Sequence, residues 1–236
     1  MDIKLKSEPQ NVTIVSGFPG FGMVGTIATE FLIEHLDTQH IGRVIIDKMP
    51  AVLAIHEGQI VEPLAIYHNK DYNLVIVHSI FGQPGTEWKV ADAILELSKR
   101  LNAIEIISLE GVGTQGENEE SRSLYFTTNK ENEKKFKDSK IEKLSEGIIM
   151  GVTSAILMQA DTLPVTCIFA ETHTNLPDSK AAAKIVEALD GYLNLKIDFK
   201  PLLEMAEKFE TKLKKIMQDS KMAEDQRDKK ALSYVG

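Results

Sequence analysis

Gly20, Gly22 and Gly25 spell G-x-G-x-x-G inside the run Gly17-Phe18-Pro19-Gly20-Phe21-Gly22-Met23-Val24-Gly25. Between a strand and a helix, that spacing suits a pyrophosphate. The glycines let the backbone approach the anion, and a helix start offers unpaired N–H groups and the positive end of its dipole. Asp47, 22 residues beyond Gly25, stands where an acid would hold a ribose hydroxyl. The register departs from the dinucleotide pattern, in which the first glycine closes the strand. Here Gly17 closes it, and Gly20 follows three residues later, behind Pro19. Phe18 and Phe21 also put bulk where a cofactor would approach. Gly17, Pro19, Gly20, Gly22 and Gly25 are therefore expected to form either an anion-holding loop or a structural turn with unusual φ, and no cofactor is expected.

Three further places carry side chains or loops of interest. Gly111-Val112-Gly113-Thr114-Gln115-Gly116-Glu117 follows an apolar run, the position at which open α/β sheets bind ligands, but it has no P-loop lysine. Glu171 and His173 could do acid–base work, yet no nucleophile adjoins them, and hydrogen bonds to nearby loops are the plainer reading. Of His35, His40, His56, His68 and His78, only the first two are close, five apart, which is not a metal pattern. Cys167 is the single cysteine and lies in the apolar run Leu163–Ala170, so a buried inert thiol is expected. Trp88, beyond the turn Gly82-Gln83-Pro84-Gly85, reads as a packing anchor. No residue is assigned as catalytic, cofactor-binding or metal-binding.

The elements that must position these loops alternate in type. Val12–Ser16 reads as a buried strand, and Thr26–Leu36 has helical spacing through Ile27, Ala28, Phe31, Leu32 and Leu36. Gly42 reads as a break before a strand at Arg43–Asp47, and this βαβ order predicts parallel pairing with the first strand. Ala51–Ile55, Ile60–Val61 and Leu64–Tyr67, with Gly58 between, read as antiparallel strands or a hairpin. Strands at Asn73–Ser79, Ala103–Leu109 and Leu163–Ala170 alternate with helices at Thr86–Leu101, Ile148–Gln159 and Ser179–Leu189. The charge-dense stretch Glu117–Lys143 reads as a solvated surface segment with a short helix around Glu131–Lys137. Pro201 opens a last helix, whose Leu202, Ala206, Phe209, Leu213 and Ile216 form a short seam for its own domain or for an oligomer contact.

Bulk composition excludes some functions. Of 236 residues, 43% are hydrophobic and 26% charged, an ordinary globular balance. Lys and Arg number 27 against 35 Asp and Glu, a net charge of −8 that repels nucleic-acid backbones. Met1–Gln10 is charged and lacks the apolar core of a signal peptide, and no apolar run nears the ~20 residues of a membrane span. A cytoplasmic location without nucleic-acid or membrane partners is expected.

The motifs together resemble the archaeal branch of the proteasome assembly chaperone family, the second eukaryotic assembly chaperone type. The likeness rests on the Gly17–Gly25 turn, the Met49-Pro50 step, Gly58 with Pro63, the Gly111–Glu117 loop, and Glu171-Thr172 leading to Pro177-Asp178. It covers most of Val12–Tyr192. The resemblance implies a three-layer α/β/α sandwich with a mixed, mainly parallel sheet, nucleoside-phosphorylase-like, plus a C-terminal helix. On that basis residues 1–198 are expected to form the α/β core and 199–236 a C-terminal helix and mobile tail. It also implies a non-enzymatic chaperone or scaffold that oligomerises, with itself or with a related family member, and binds proteasome α-subunits during core-particle assembly. Some members dock a tail of the form hydrophobic-Tyr-any residue. By that likeness Leu232, Tyr234, Val235 and Gly236 are the expected partner-binding residues, although Tyr234 is third from the end rather than second, and Ser233 replaces the apolar residue. The alternative is an enzyme acting on nucleosides or phosphate esters through its glycine-rich loops.

Overall fold

Runs of β-branched residues that are apolar at nearly every position mark strands covered on both faces. Thr13–Gly17, Leu74–Ser79 and Val165–Thr172 are buried at every residue. The computed structural model describes residues 1–46, 53–56, 59–80, 82, 84–113, 122–137, 141–172, 176–204 and 215. The elements in chain order are β1 (Asp2–Leu5), β2 (Thr13–Gly17), α1 (Val24–His35), β3 (Thr38–Ile45), β4 (Ala54–His56), β5 (Gln59–Val61), β6 (Leu64–Asn69) and β7 (Leu74–Ser79). There follow α2 (Glu87–Arg100), β8 (Glu105–Gly113), β9 (Ser123–Thr127), α3 (Lys130–Glu133), β10 (Glu142–Lys143), α4 (Gly151–Gln159), β11 (Val165–Thr172), α5 (Ser179–Leu193) and α6 (Lys200–Glu204).

Nine strands make one sheet in the order β1-β3-β6-β7-β2-β8-β11-β9-β10, while β4 and β5 form a separate hairpin. The central four, β7-β2-β8-β11, are parallel. Antiparallel strands flank them on both sides. Alternation along each strand divides the core. Val15, Ile76, Ile107 and Ile168 share one cluster with α1 and α5. Ile14, Val75, Ile106 and Cys167 share the other with α2 and α4. The result is the α/β/α sandwich expected of the chain, with Cys167 fully buried and its thiol pKa pushed up by desolvation.

Three local expectations change. β2 and β3 run in the same sense but do not pair, because the β6–β7 strands lie between them. A helix crossover fixes relative direction, whereas a later hairpin can still occupy the space between the two strands. Gly42 does not break the chain: it lies inside β3 beside a register shift, where a Cβ would sit 2.2 Å from the Lys4 carbonyl oxygen. β1, which carried no strand signal of its own, is the neighbour that approaches so closely. Finally, the charge-dense segment is no mere surface loop, since β9 pairs with β11 and β10 pairs with β9. Of the seam on the last helix, only Leu202 falls within the described residues.

That segment is held by a buried polar knot. Glu105, 5% exposed, accepts hydrogen bonds through Oε1 from Asn132 Nδ2 at 2.7 Å, Tyr192 Oη at 2.7 Å and Thr166 Oγ1 at 2.5 Å. Beside it the Tyr192 ring stacks on Phe136, which stacks on Tyr125. Burial pushes the Tyr192 phenol up, so it remains a donor. Because a buried acceptor that loses a partner keeps its desolvation cost, Tyr192→Phe should lower stability by about 1–2 kcal/mol. Urea unfolding checks this, and an unchanged midpoint would remove Tyr192 from the account of how this segment is held.

Candidate functional site

Three of the motifs meet at the carboxyl end of the parallel strands. The Gly17–Gly25 turn leaves β2, tightens through a 3-10 turn at Phe21–Met23, and enters α1 with Met23 in the left-handed region at φ 49°. Its glycines are in contact with other backbone. A Cβ on Gly17 would lie 2.1 Å from the Gly25 carbonyl oxygen, and one on Gly25 would lie 2.2 Å from that of Leu109. Gly22 has φ 61° and sits against Thr172 and Asp178. Asp178 ties the corner together. Its N–H donates to the Gly22 carbonyl at 2.8 Å, Oδ2 accepts from Thr172 Oγ1 at 2.8 Å, and Oδ1 caps α5 by accepting from the Ala181 N–H at 3.0 Å. On the β8 side a Cβ on Gly111 would lie 2.2 Å from the Phe21 carbonyl oxygen. Pro19 and the exposed Gly20 form the outer part of the turn, with Pro19 on the wall of a cavity beneath it.

That cavity, of about 190 Å³, lies between the turn, the end of β7 and the starts of α2 and α4. Its wall is mostly apolar, with Phe18, Pro19, Leu64, Pro84, Val90 and Val152. Glu110, near the end of β8, lines it. The carboxyl accepts a hydrogen bond from Thr153, whose hydroxyl is 2.8 Å from Ser108 Oγ. Oε2 is buried and has no hydrogen-bond partner among the described residues. Desolvation pushes the Glu110 pKa up to about 7, and the Thr153 hydrogen bond only partly opposes it. No sequence signal singled out Glu110. The one available cue was a carboxylate placed directly after the apolar run Ala103–Leu109 and before Gly111.

Glu171 is not poised for acid–base chemistry. It is buried and held by Arg122, with Nε to Oε2 at 3.0 Å and Nη2 to Oε1 at 2.6 Å. This paired fork raises the Arg122 pKa further and leaves Glu171 with fixed partners. His35, His40, His68 and His78 contact Phe31, Glu62, Asn73 and Thr29 respectively, on separate elements. Trp88 differs from its expected role as a packing anchor, being 52% exposed. Asp47, Met49, Pro50, Gly58, Gly116, Glu117 and His173 lie outside the described residues, as do Leu232, Tyr234, Val235 and Gly236.

Around this end of the sheet the surface is unusually apolar. Phe21 follows β2, Trp88 opens α2, Ile148 and Met150 precede α4, and Leu176 follows β11; all are exposed. The β4–β5 hairpin springs from the same end, between β3 and β6, and exposes Ile55 and Ile60. Ile148 at 87% and Ile55 at 73% show how little of these side chains the chain itself covers. Grouped apolar exposure of this kind marks interaction surfaces on soluble folds. Among the described residues, no helix is long and apolar enough to cross a membrane.

The comparisons with known proteins agree on one lineage. The model of the PAC2 family matches residues 14–217. The crystal structure of Pyrococcus furiosus PbaA, described as an archaeal homolog of proteasome-assembly chaperone, is 30% identical. It covers 94% of this chain and 100% of its own, with a TM-score of 0.82. P. furiosus PbaB, described as an archaeal proteasome activator, shares the fold at 23% identity and a TM-score of 0.77, covering 92% of this chain and 98% of its own. An uncharacterized protein of Methanocaldococcus jannaschii is 27% identical over 215 residues, 90% of this chain and 88% of that one.

Two outcomes test the geometry. Gly25→Ala should cost roughly 3 kcal/mol, since the new methyl meets the Leu109 carbonyl rather than a yielding side chain; thermal denaturation reads it, and a melting temperature within 1–2 °C of wild type (about 0.5 kcal/mol) would overturn the close-approach account. Glu110 has a folded pKa of about 7 against an ordinary 4.5, so wild type gives up stability as pH rises from about 4.5 through about 7. Glu110→Gln should lack that loss and be more stable by about 3 kcal/mol at pH 8, with no gain below about pH 4.5. Denaturant midpoints across that range check both the sign and the window.

Proposed function

This chain belongs to the PAC2 family over residues 14–217, and from that premise we propose that it is a non-enzymatic assembly chaperone or scaffold that self-associates and binds proteasome α-subunits during core-particle assembly. The observation that carries this reading is the ring of exposed apolar side chains at the carboxyl end of the sheet, above all Phe21, Ile55, Ile60 and Ile148. Buried against a partner, each such side chain contributes about 1.5–3 kcal/mol, so a handful sustains a specific contact. The likeness to PbaA supports a proteasome-related partner, and the net charge of −8 favours proteins over nucleic acid. In this reading residues 1–198 are the core that presents the face. Residues 199–236 carry a helix and a tail whose Leu232, Tyr234, Val235 and Gly236 engage a pocket between α-subunits, and the protein works in the cytoplasm.

A nucleoside- or phosphate-ester-acting enzyme is less well supported. Both charged residues on the cavity wall, Glu87 and Glu110, are acidic, and among the described residues no Lys, Arg or His joins them. Such a wall repels phosphate.

The test is a pull-down of recombinant proteasome α-subunits, with light scattering to follow self-association. Full-length chain should retain α-subunits and run above monomer mass. Ile55→Asp together with Ile148→Asp should weaken retention or self-association at least about tenfold, the effect of losing roughly 1.4 kcal/mol. Removal of Leu232–Gly236 should weaken α-subunit retention alone. A monomer that retains no α-subunit at micromolar concentration would sink the chaperone reading, while equal retention without the tail would sink only the docking role of the tail.

A further inference from the structure

The cavity under the glycine turn has the chemistry of a binding site that the assembly role does not use. Its wall combines apolar side chains, Phe18, Pro19, Leu64, Val90 and Val152, with the Glu110 carboxyl. Glu110 Oε2 is buried and has no hydrogen-bond partner among the described residues. A buried acceptor in that state costs free energy until a donor reaches it, and an ionised carboxylate there calls for a cation. Among the described residues no side chain on the wall supplies one: Glu87, from the start of α2, is the other charged residue there, and Cys167, on the neighbouring strand β11, is a titratable group that feels the Glu110 charge. Ser79, whose hydroxyl donates to the Pro63 carbonyl at 3.0 Å, and Thr86 also line the cavity, and a hydroxyl oxygen can accept a hydrogen bond while it donates one.

We propose that this cavity binds an alkylammonium group, with the ammonium on Glu110 and the alkyl stem against Phe18, Val90 and Val152. An ammonium brings three donors and no acceptor, which matches one carboxylate and neighbouring hydroxyl oxygens. A phosphate or carboxylate ligand would meet Glu110 and Glu87 and is rejected. A neutral alcohol meets the same apolar side chains but brings one donor and no charge. The same chemistry has two sources, a small free amine or a lysine side chain of a docked protein, and the cavity is lined by residues at the carboxyl end of the parallel strands, the end that also exposes the apolar side chains. This goes beyond the assembly reading and stands or fails apart from it, because the isolated chain suffices for the test.

The experiment is titration of the full chain at pH 8 with butylamine, butanol and butyrate at equal ionic strength, read by calorimetry and by the melting temperature. Bound ligand must raise the melting temperature of the native state. Butylamine should bind and raise it, whereas butanol and butyrate should not. Amine binding should weaken by about tenfold per pH unit once Glu110 is protonated below its pKa of about 7. Glu110→Gln should abolish the response, and Glu110→Asp, which keeps the charge one methylene shorter, should retain part of it. Nα-acetyl-lysine methylamide then separates the sources: binding as tight as butylamine assigns a partner's lysine, and at least about tenfold weaker binding assigns a free amine, a difference of roughly 1.4 kcal/mol. An equal response to butylamine and butanol, or an amine response that survives Glu110→Gln, overturns the proposal.

Discussion

Backbone packed directly on backbone, where the glycine turn lies against the end of β8, is the constraint from which the rest follows. Gly17 faces Gly25, Gly25 faces the Leu109 carbonyl, and Gly111 faces that of Phe21, each with no room for a Cβ. This brings the start of α1 within contact of two parallel strands. It leaves Phe18 and Pro19 as the roof of the cavity and turns Phe21 outward. With side chains in those gaps, α1 would stand away from the sheet, and the cavity and the apolar rim would both lose their shape.

Two glutamates on the same strand, Glu105 buried and Glu110 half-buried, show how the fold treats charge. Glu105, at the start of β8, is met by Asn132, Tyr192 and Thr166, so its burial is compensated and it fastens α3, β11 and α5 together. Glu110, near the other end, has Thr153 and an oxygen left over. One carboxylate is structural because three side chains of the fold converge on its Oε1. The other is left half-satisfied on the wall of a cavity, the condition under which a group keeps affinity for something outside the chain.

A sheet whose parallel strands all end on one side collects its connecting loops there, and loops can expose what strands cannot. The apolar rim of Phe21, Trp88, Ile148 and Leu176 is a consequence of that geometry. Each residue belongs to a different connection, so together they form a composite face. The Arg122–Glu171 fork and the Asp178 contacts hold the residues just before β9 and the start of α5 against the end of β11.

Amino-acid pattern alone determined the layered α/β/α class and the strands and helices whose faces are both apolar or cleanly amphipathic, such as Val12–Ser16, Asn73–Ser79 and Thr86–Leu101. It also marked the glycine turn, because local burial and backbone freedom leave a local trace. Pairing did not leave one. That β6 and β7 separate β2 from β3, that Gly42 sits within a strand against Lys4, and that the charged stretch supplies β9 beside β11 all depend on partners distant in the chain. The same holds for the site. Glu110 looks like any strand-end acid until α2, α4 and the turn close over it and remove its water, and the exposed residues look like scattered apolar positions until the topology gathers their loops at one end. Composition fixes how much surface must be buried, but only the tertiary arrangement decides which polar atom is left without a partner and which apolar surface is left uncovered.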